Sequence, residues 1–402
     1  MIRTDTKTPE KYSTQVVTRE TTRLYFIDHL RAALIILVVL HHVALVYGGI
    51  QPFYYLEPPV NNLPAFLVPM AFVLMNQAWF MGALFLIAGF FTPGSFDRKG
   101  IGSFLKNRLI RLGIPLLFWI FVLNPISSIG VFLMPSSLTG ITTPLTWQTF
   151  WKIYPSLIGL GPMWFVAMLL IFDFGYAAWR LLIKKQTSAS IPETSLPSYL
   201  RIGLFILVLA LLSYLTRIIV PLGESVLQFP TLAYLPQYLG FFIIGIIAYH
   251  YDWFRTIRGS MGVVGFIAAI VATIVLFPIG FISFLRAIEA GSQQLPPFGN
   301  GTWQSAIYAF WDTVFAVGMC LGAITFFRRF FDGQSSFGRF LSQQSYAVYI
   351  IHVPIIVFLV YALREIGLAP SLKFSIASLI ALTICFIAAY IIRKIPGVSR
   401  VI

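Results

Sequence analysis

Charge is scarce in this sequence. Only 10% of its 402 residues are charged, while 58% are hydrophobic. No soluble domain of this size has that balance, because a water-facing surface needs far more charge. Acidic residues are rarer still, 14 against 28 basic ones. In a soluble chain a net charge of +14 would suggest nucleic acid. Here the basic residues sit in short connections between apolar runs, with no basic domain apart, so no nucleic-acid partner is expected. Cysteine is nearly absent: Cys320 and Cys385 each lie inside an apolar run. That excludes a disulfide framework and a cysteine-rich metal site, and leaves two small buried apolar residues. HExxH and any histidine pair at i, i+4 are also missing, so no metal is expected. There is no internal repeat, no low-complexity tract and no appended soluble domain. The first 23 residues are polar and charged, and the apolar run after them is too long for a signal peptide.

What is present is a series of long apolar runs. Ten reach the roughly 20 residues needed to span a bilayer: 25–47, 66–91, 109–134, 159–183, 202–220, 233–251, 260–283, 305–327, 343–363 and 371–393. Pro69, Pro115, Pro125 and Pro354 fall within them, which predicts kinks whose freed backbone groups find partners on neighbouring helices. Ten crossings put both termini on one side. The great majority of the 28 lysines and arginines fall in the tails and in alternate connections, and the positive-inside rule makes that side cytoplasmic. The other side keeps Lys152, Arg217, Arg286, Arg364 and Lys373. The predicted fold is therefore all-α, a polytopic membrane helix bundle of about ten transmembrane helices with both termini cytoplasmic. Its expected divisions are a cytoplasmic tail over 1–23, a transmembrane domain over 24–394 and a second cytoplasmic tail over 395–402. The outward connections, such as QPFYYLEPPVNN, are long and aromatic, which suits interfacial anchoring or stacking against carbohydrate.

The first run, RLYFIDHLRAALIILVVLHHVALVYGG, carries Asp28, His29, Arg31, His41 and His42. A charge in the bilayer costs about 2.5–3.5 kcal/mol on insertion scales, so side chains kept there are candidates for function. Arg31 and His42 are eleven residues apart, about three helical turns, which puts them on one stripe and roughly 16 Å apart along the axis. Asp28 lies near the same stripe and can pair with Arg31. An imidazole titrates near neutrality and can serve as base and then acid, which singles out His42. His41 lies off the stripe and is expected to be structural, and His29 to sit at headgroup level. Later runs add Trp164 and Asp173, Tyr308 and Asp312, and then Ser345, Tyr349 and His352, which share a face by their i, i+4, i+7 spacing. The connection IGSFLKNRLIRLGIP predicts a basic amphipathic helix at the inner surface, with Ile101, Phe104, Leu105 and Leu109 apolar and Lys106, Arg108 and Arg111 beside them. Such a cluster suits anionic lipid or a phosphate group.

Taken in order, the elements YFIDHLRAALIILVVLHH, FLIAGFF, RLIRLGIPLLFW, GPMWFVAMLLIF and SYAVYIIHVPII resemble the acyltransferase-3 family of integral membrane O-acyltransferases, from about Tyr25 to Ile391. The family often has glycine after its Asp and after its Arg, where this chain has His29 and Ala32. The resemblance implies a multi-pass enzyme of the inner (plasma) membrane. It would take an acetyl or succinyl-like group from cytoplasmic acyl-CoA and pass it to a hydroxyl of an extracytoplasmic or lipid-linked glycan, with no metal. The family's Arg and His separated by ten residues match Arg31 and His42. On that reading His42 is the general base, with a covalent acyl-His as the alternative, and Asp28 orients Arg31. Arg31, Lys106, Arg108 and Arg111 hold the coenzyme A, and Trp164, Ser345, Tyr349 and His352 line the acceptor end. Some members carry an extracytoplasmic hydrolase-like domain; here that step would be either unnecessary or supplied by a separate protein. The competing reading is a proton-coupled transporter or a lipid or glycan flippase, titrating Asp28, Asp173, Asp312 and His352.

Overall fold

The computed structural model describes residues 23–49, 53–57, 63–183, 196–230, 232–292 and 295–402. Apart from Arg23, the expected N-terminal tail lies outside them. The helices are α1 (Tyr25–Tyr47), α2 (Leu63–Gln77), α3 (Phe80–Arg108), α4 (Ile114–Phe118), α5 (Asn124–Leu133), α6 (Ser136–Thr139), α7 (Trp147–Ile153) and α8 (Trp164–Leu182). They continue as α9 (Tyr199–Ile219), α10 (Leu235–His250), α11 (Trp253–Thr256), α12 (Gly259–Val275), α13 (Phe277–Glu289), α14 (Trp303–Phe330), α15 (Ser336–Leu363) and α16 (Pro370–Arg393). Among the described residues there is no strand, only an isolated bridge between Val226 and Phe229.

Nine stretches among the described residues are long and apolar enough to cross a membrane. One of them, Leu67–Leu133, has 67 residues, which as a straight helix would measure roughly 100 Å against about 30 Å of hydrocarbon. It turns at Gly100 (φ 69°, ψ 165°) and contains two of the ten expected runs. The protein is therefore an all-α polytopic membrane bundle. Its outside is apolar where lipid would lie: Leu200, Leu204, Leu207 and Leu211 of α9 and Val263, Ile267 and Ile274 of α12 are all exposed.

One expected run is broken. Residues 66–91 read as a single helix, but the chain bends between α2 and α3 at Ala78 and Trp79. Neither proline nor glycine stands there. The Ala78 carbonyl instead accepts the Gln237 side-chain amide of α10 at 2.7 Å, and Asn76 donates to the Leu37 carbonyl of α1 at 3.2 Å. Partners far along the chain thus satisfy the freed backbone.

The 109–134 run stays helical but passes through two π turns, Leu109–Gly113 and Trp119–Leu123. Pro115 and Pro125 cause a specific deficit here. Each lacks the N–H that would bond the carbonyl four residues earlier. Those carbonyls belong to Arg111 and Phe121, and each accepts a tyrosine hydroxyl, from Tyr346 and Tyr154, at 2.7 Å.

Helix α1 sits centrally, packed on α2, α3, α14, α15 and α16. Helices α3 and α10 approach so closely that a Cβ on Gly89 would fall 2.1 Å from the Phe242 carbonyl oxygen, and one on Gly245 2.2 Å from that of Leu86. Only glycine permits that backbone contact.

Buried ion pairs tie the bundle together. Arg217, the last-turn basic residue of α9, pairs with Asp312 of α14, the two side chains being 0% and 1% exposed. Tyr234 and Tyr308 cover the guanidinium at 4.9 and 5.8 Å. Removing one member leaves an unpaired buried charge, which costs about 3–5 kcal/mol, whereas replacing both by apolar groups is near neutral. Arg217→Met is therefore expected to destabilise by that amount, and R217M/D312L to recover most of it, as read by thermal unfolding in detergent.

Candidate functional site

Histidines 41 and 42 of α1 open onto a cavity of about 800 Å³. Its walls come from α1, α2, the first residue of α3, α5, the segment before α8 and its first residue Trp164, the residues around 222–234, and parts of α13 and α14. Trp164 is on it, stacked on Tyr238 with ring centroids 5.3 Å apart. Trp164 and His42 thus line the same cavity.

The hydrogen bonds around His42 define its tautomer. Its Nδ1 is 2.8 Å from the Val38 carbonyl oxygen, and His352 Nδ1 is 2.7 Å from that of Tyr349. A carbonyl only accepts, so in both rings Nδ1 carries the hydrogen. His352 Nε2 is then an acceptor, and it lies 3.3 Å from His42 Nδ1. No partner for His42 Nε2 stands among the described residues, and in this tautomer that nitrogen carries a lone pair.

His352 is fully buried and stands behind His42 rather than on the cavity wall. Tyr349 is also behind the wall: its hydroxyl donates to the Pro162 carbonyl. Ser345 donates to the Leu341 carbonyl of its own helix at 2.7 Å. Of the four residues expected to line the acceptor end, only Trp164 lines this cavity. The shared face of α15 turns inward against α1 and the 157–162 segment, which is why its polar groups support the wall.

That wall is fastened at several points. The Tyr54 hydroxyl donates to Asn124 Oδ1, and Asn124 donates to the Leu157 carbonyl at 2.6 Å. Gln228 accepts from the Leu160 N–H at 3.1 Å. Burial raises the Tyr54 phenol above its usual range, which keeps it a donor. Gly161 has φ +44°, and a Cβ there would meet the Tyr54 hydroxyl at 2.2 Å, so the turn needs glycine.

The basic residues form a separate group at the other end of α1. Asp28 accepts from Arg31 at 2.8 Å and from Arg23 at 2.7 Å. Arg31 is still 42% exposed, and Arg111 is near enough for the two charges to interact. Lys106 and Arg111 are exposed. Arg108 is engaged elsewhere: its guanidinium is 3.0 Å from buried Asp173 and donates to Thr92 at 3.3 Å. The expected amphipathic helix follows Gly100, with Phe104 buried, but Leu109, assigned to its apolar side, is 49% exposed. His29 packs away from this group, with Nδ1 2.7 Å from the Phe331 carbonyl oxygen. None of these residues lines the His42 cavity.

Sequence reasoning does not single out Tyr54 or Asn124, and it names His41 only as a structural residue. Asn124 was visible as an amide within an apolar run. His41 stacks on Phe80 at 5.1 Å and shares the cavity, although it is off the Arg31 stripe. No three His, Cys, Asp or Glu side chains among the described residues converge as metal ligands.

The fold and site define a multi-pass membrane protein with a histidine-bearing cavity at one end of its central helix and a cationic group at the other. The chain belongs to the acyltransferase-3 family, whose description, an acyltransferase domain, matches residues 24–390. It is an acyltransferase. The glucans biosynthesis protein C of Salmonella paratyphi B and that of Salmonella dublin are each 25% identical to it over 354 residues, covering 84% of this chain and 83% of theirs. No solved structure matches.

Proposed function

We propose that the enzyme moves an acyl group from acyl-CoA, bound at the cytoplasmic end of α1, to a hydroxyl of a glycan that enters the His42 cavity from the opposite side. The observation that carries this reading is the His42–His352 contact, with His42 on a cavity wall and no partner for its Nε2 among the described residues. In the reaction Nε2 takes the hydroxyl proton as the oxygen attacks the thioester carbon. The C–S bond then breaks, and the imidazolium returns the proton to the departing thiolate. His352 Nε2 accepts from the Nδ1–H of His42 throughout and steadies the imidazolium. Tyr349 and Asn124 hold the wall. Trp164 offers an aromatic face to a sugar ring, and the name of the glucan-biosynthesis relatives supports a glucan-type acceptor.

Arg31 is the principal phosphate ligand in this reading, with Asp28 fixing its orientation. Arg111 and Lys106 are exposed and join it; Arg108, tied to Asp173, adds charge behind them. The basic bias of one side supports cytoplasmic termini, and the family supports the inner membrane. Two cations of the other side, Arg217 and Lys373, are neutralised by Asp312 and Glu57, which sharpens that bias. A separate extracytoplasmic protein passing the acyl group onward is compatible with this arrangement.

The direct test is acyl transfer by purified protein, with label in the acyl group of the donor and the glycan weighed by mass spectrometry. Release of coenzyme A without acylated glycan would defeat the reading. His352→Phe is expected to lower kcat about 10–100-fold through loss of one charge-assisted hydrogen bond, with KM for acyl-CoA unchanged. An equal loss in KM would make His352 a binding residue instead.

A further inference from the structure

A column of aromatic rings joins the buried Arg217–Asp312 pair to the cavity wall. The Arg217 guanidinium lies 4.9 Å from the ring centre of Tyr234. Tyr234 is stacked on Tyr238, with centroids 5.9 Å apart and planes 23° apart. Tyr238 is stacked in turn on Trp164, at 5.3 Å and 28°. The column thus crosses from α9, through the turn Leu232–Tyr234 and α10, to the first residue of α8. Tyr234 and Trp164 line the cavity. Arg217 and Tyr238 stand behind it, both 0% exposed. Asp312 accepts from Arg217 Nη2, while Nε and Nη1 are buried with no hydrogen-bond partner among the described residues. The rings of Tyr234 and Tyr308 meet the guanidinium instead. A cation over an aromatic face is held by the ring's quadrupole, most strongly where water is excluded. Stacked rings prefer particular offsets and spacings, so each ring of the column sets the place of the next.

We infer that Arg217 is a positioning residue of the acceptor site: through Tyr234 and Tyr238 it fixes the ring of Trp164 against which a sugar packs, and Asp312 fixes Arg217. This rests on the reading of Trp164 as the acceptor's aromatic face. It gives the ion pair a role that stability alone does not require. An apolar pair of similar volume fills the same space and removes the cost of burying two charges, but it presents no cation to Tyr234. Stability and acceptor recognition therefore separate in R217M/D312L: the first recovers and the second does not.

The test is acylation kinetics with purified R217M/D312L and a neutral glucan oligosaccharide, using whichever of acetyl-CoA and succinyl-CoA the wild type turns over, beside thermal unfolding in detergent. KM for the glucan is expected to rise about 10–30-fold, the worth of a desolvated cation–π contact, with no matching rise in KM for the donor. Tyr238→Leu breaks the column with the ion pair intact and is expected to raise the same KM by a similar factor. Tyr238→Phe keeps the ring, loses only the bond from Gln77 to the hydroxyl, and is expected to raise it less. A wild-type glucan KM in R217M/D312L would make the pair structural and overturn the inference, leaving the transferase reading intact. An equal rise in KM for the donor would overturn it too, because the change would not be confined to the acceptor end. Should the double variant not fold, the Tyr238 comparison decides: a wild-type glucan KM in Tyr238→Leu would overturn the inference. Acylation of no glucan by the wild type would overturn the reading of the cavity itself, and the inference with it.

Discussion

Replacing His42 by alanine is expected to lower kcat by about 10²–10⁴-fold, the range for loss of a positioned general base. The effect should fall on kcat and leave the affinity for coenzyme A nearly unchanged, since Arg31 stands some three helical turns away along α1. Correct folding of the variant is checked by its elution and its thermal unfolding, because α1 is central and His42 bonds Val38 and His352. Full activity in His42→Ala would remove it from the chemistry. His41→Ala is the natural comparison. His41 shares the cavity and stacks on Phe80, so its loss should act on acceptor affinity more than on kcat.

The second large effect is expected at Arg31. Its alanine variant should raise KM for acyl-CoA by about 10–150-fold, the worth of a charge-assisted hydrogen bond to a phosphate, with a smaller change in kcat. Asp28 keeps Arg23 as a partner at 2.7 Å, so the local fold should survive. Arg31→Lys should not restore the affinity fully, because lysine cannot give the paired N–H geometry of a guanidinium. Binding of coenzyme A alone, followed by titration calorimetry, checks this without turnover; an unchanged affinity would remove Arg31 as the phosphate ligand.

Much of the bundle was legible because hydropathy reads crossings directly. The Arg31–His42 stripe was legible because a helix repeats every 3.6 residues. What was not legible depended on partners far along the chain. The bend at Ala78 leaves no mark in residues 66–91, since it is stabilised by Gln237, 159 positions later. Arg217 reads by sequence only as a cation of the outer side, yet it closes a buried pair with Asp312, 95 positions away. Prolines 115 and 125 announced irregular helix, but nothing local indicated that Tyr346 and Tyr154 would take the freed carbonyls.

The site was legible in part for the same reason. His42 and Trp164 were named and do share one cavity. His352 was placed on the right face of α15 but assigned to the cavity wall, whereas it supports His42 from behind. The stripe alone makes His41 a structural residue, yet His41 lines the cavity. A cavity of about 800 Å³ is wide enough to take in more than one face of α1, so a single stripe understated what the helix presents. Arg108 matched the phosphate pattern by sequence, but its pairing with Asp173 is tertiary.

The measurement that bears most directly on the central claim is transfer across a sealed bilayer. Vesicles carrying the purified protein would hold a neutral glucan inside and receive acetyl-CoA labelled in its acetyl group outside. The account predicts label on the enclosed glucan, dependent on His42, with unlabelled coenzyme A released outside. Label reaching glucan only when donor and acceptor share one compartment would contradict it.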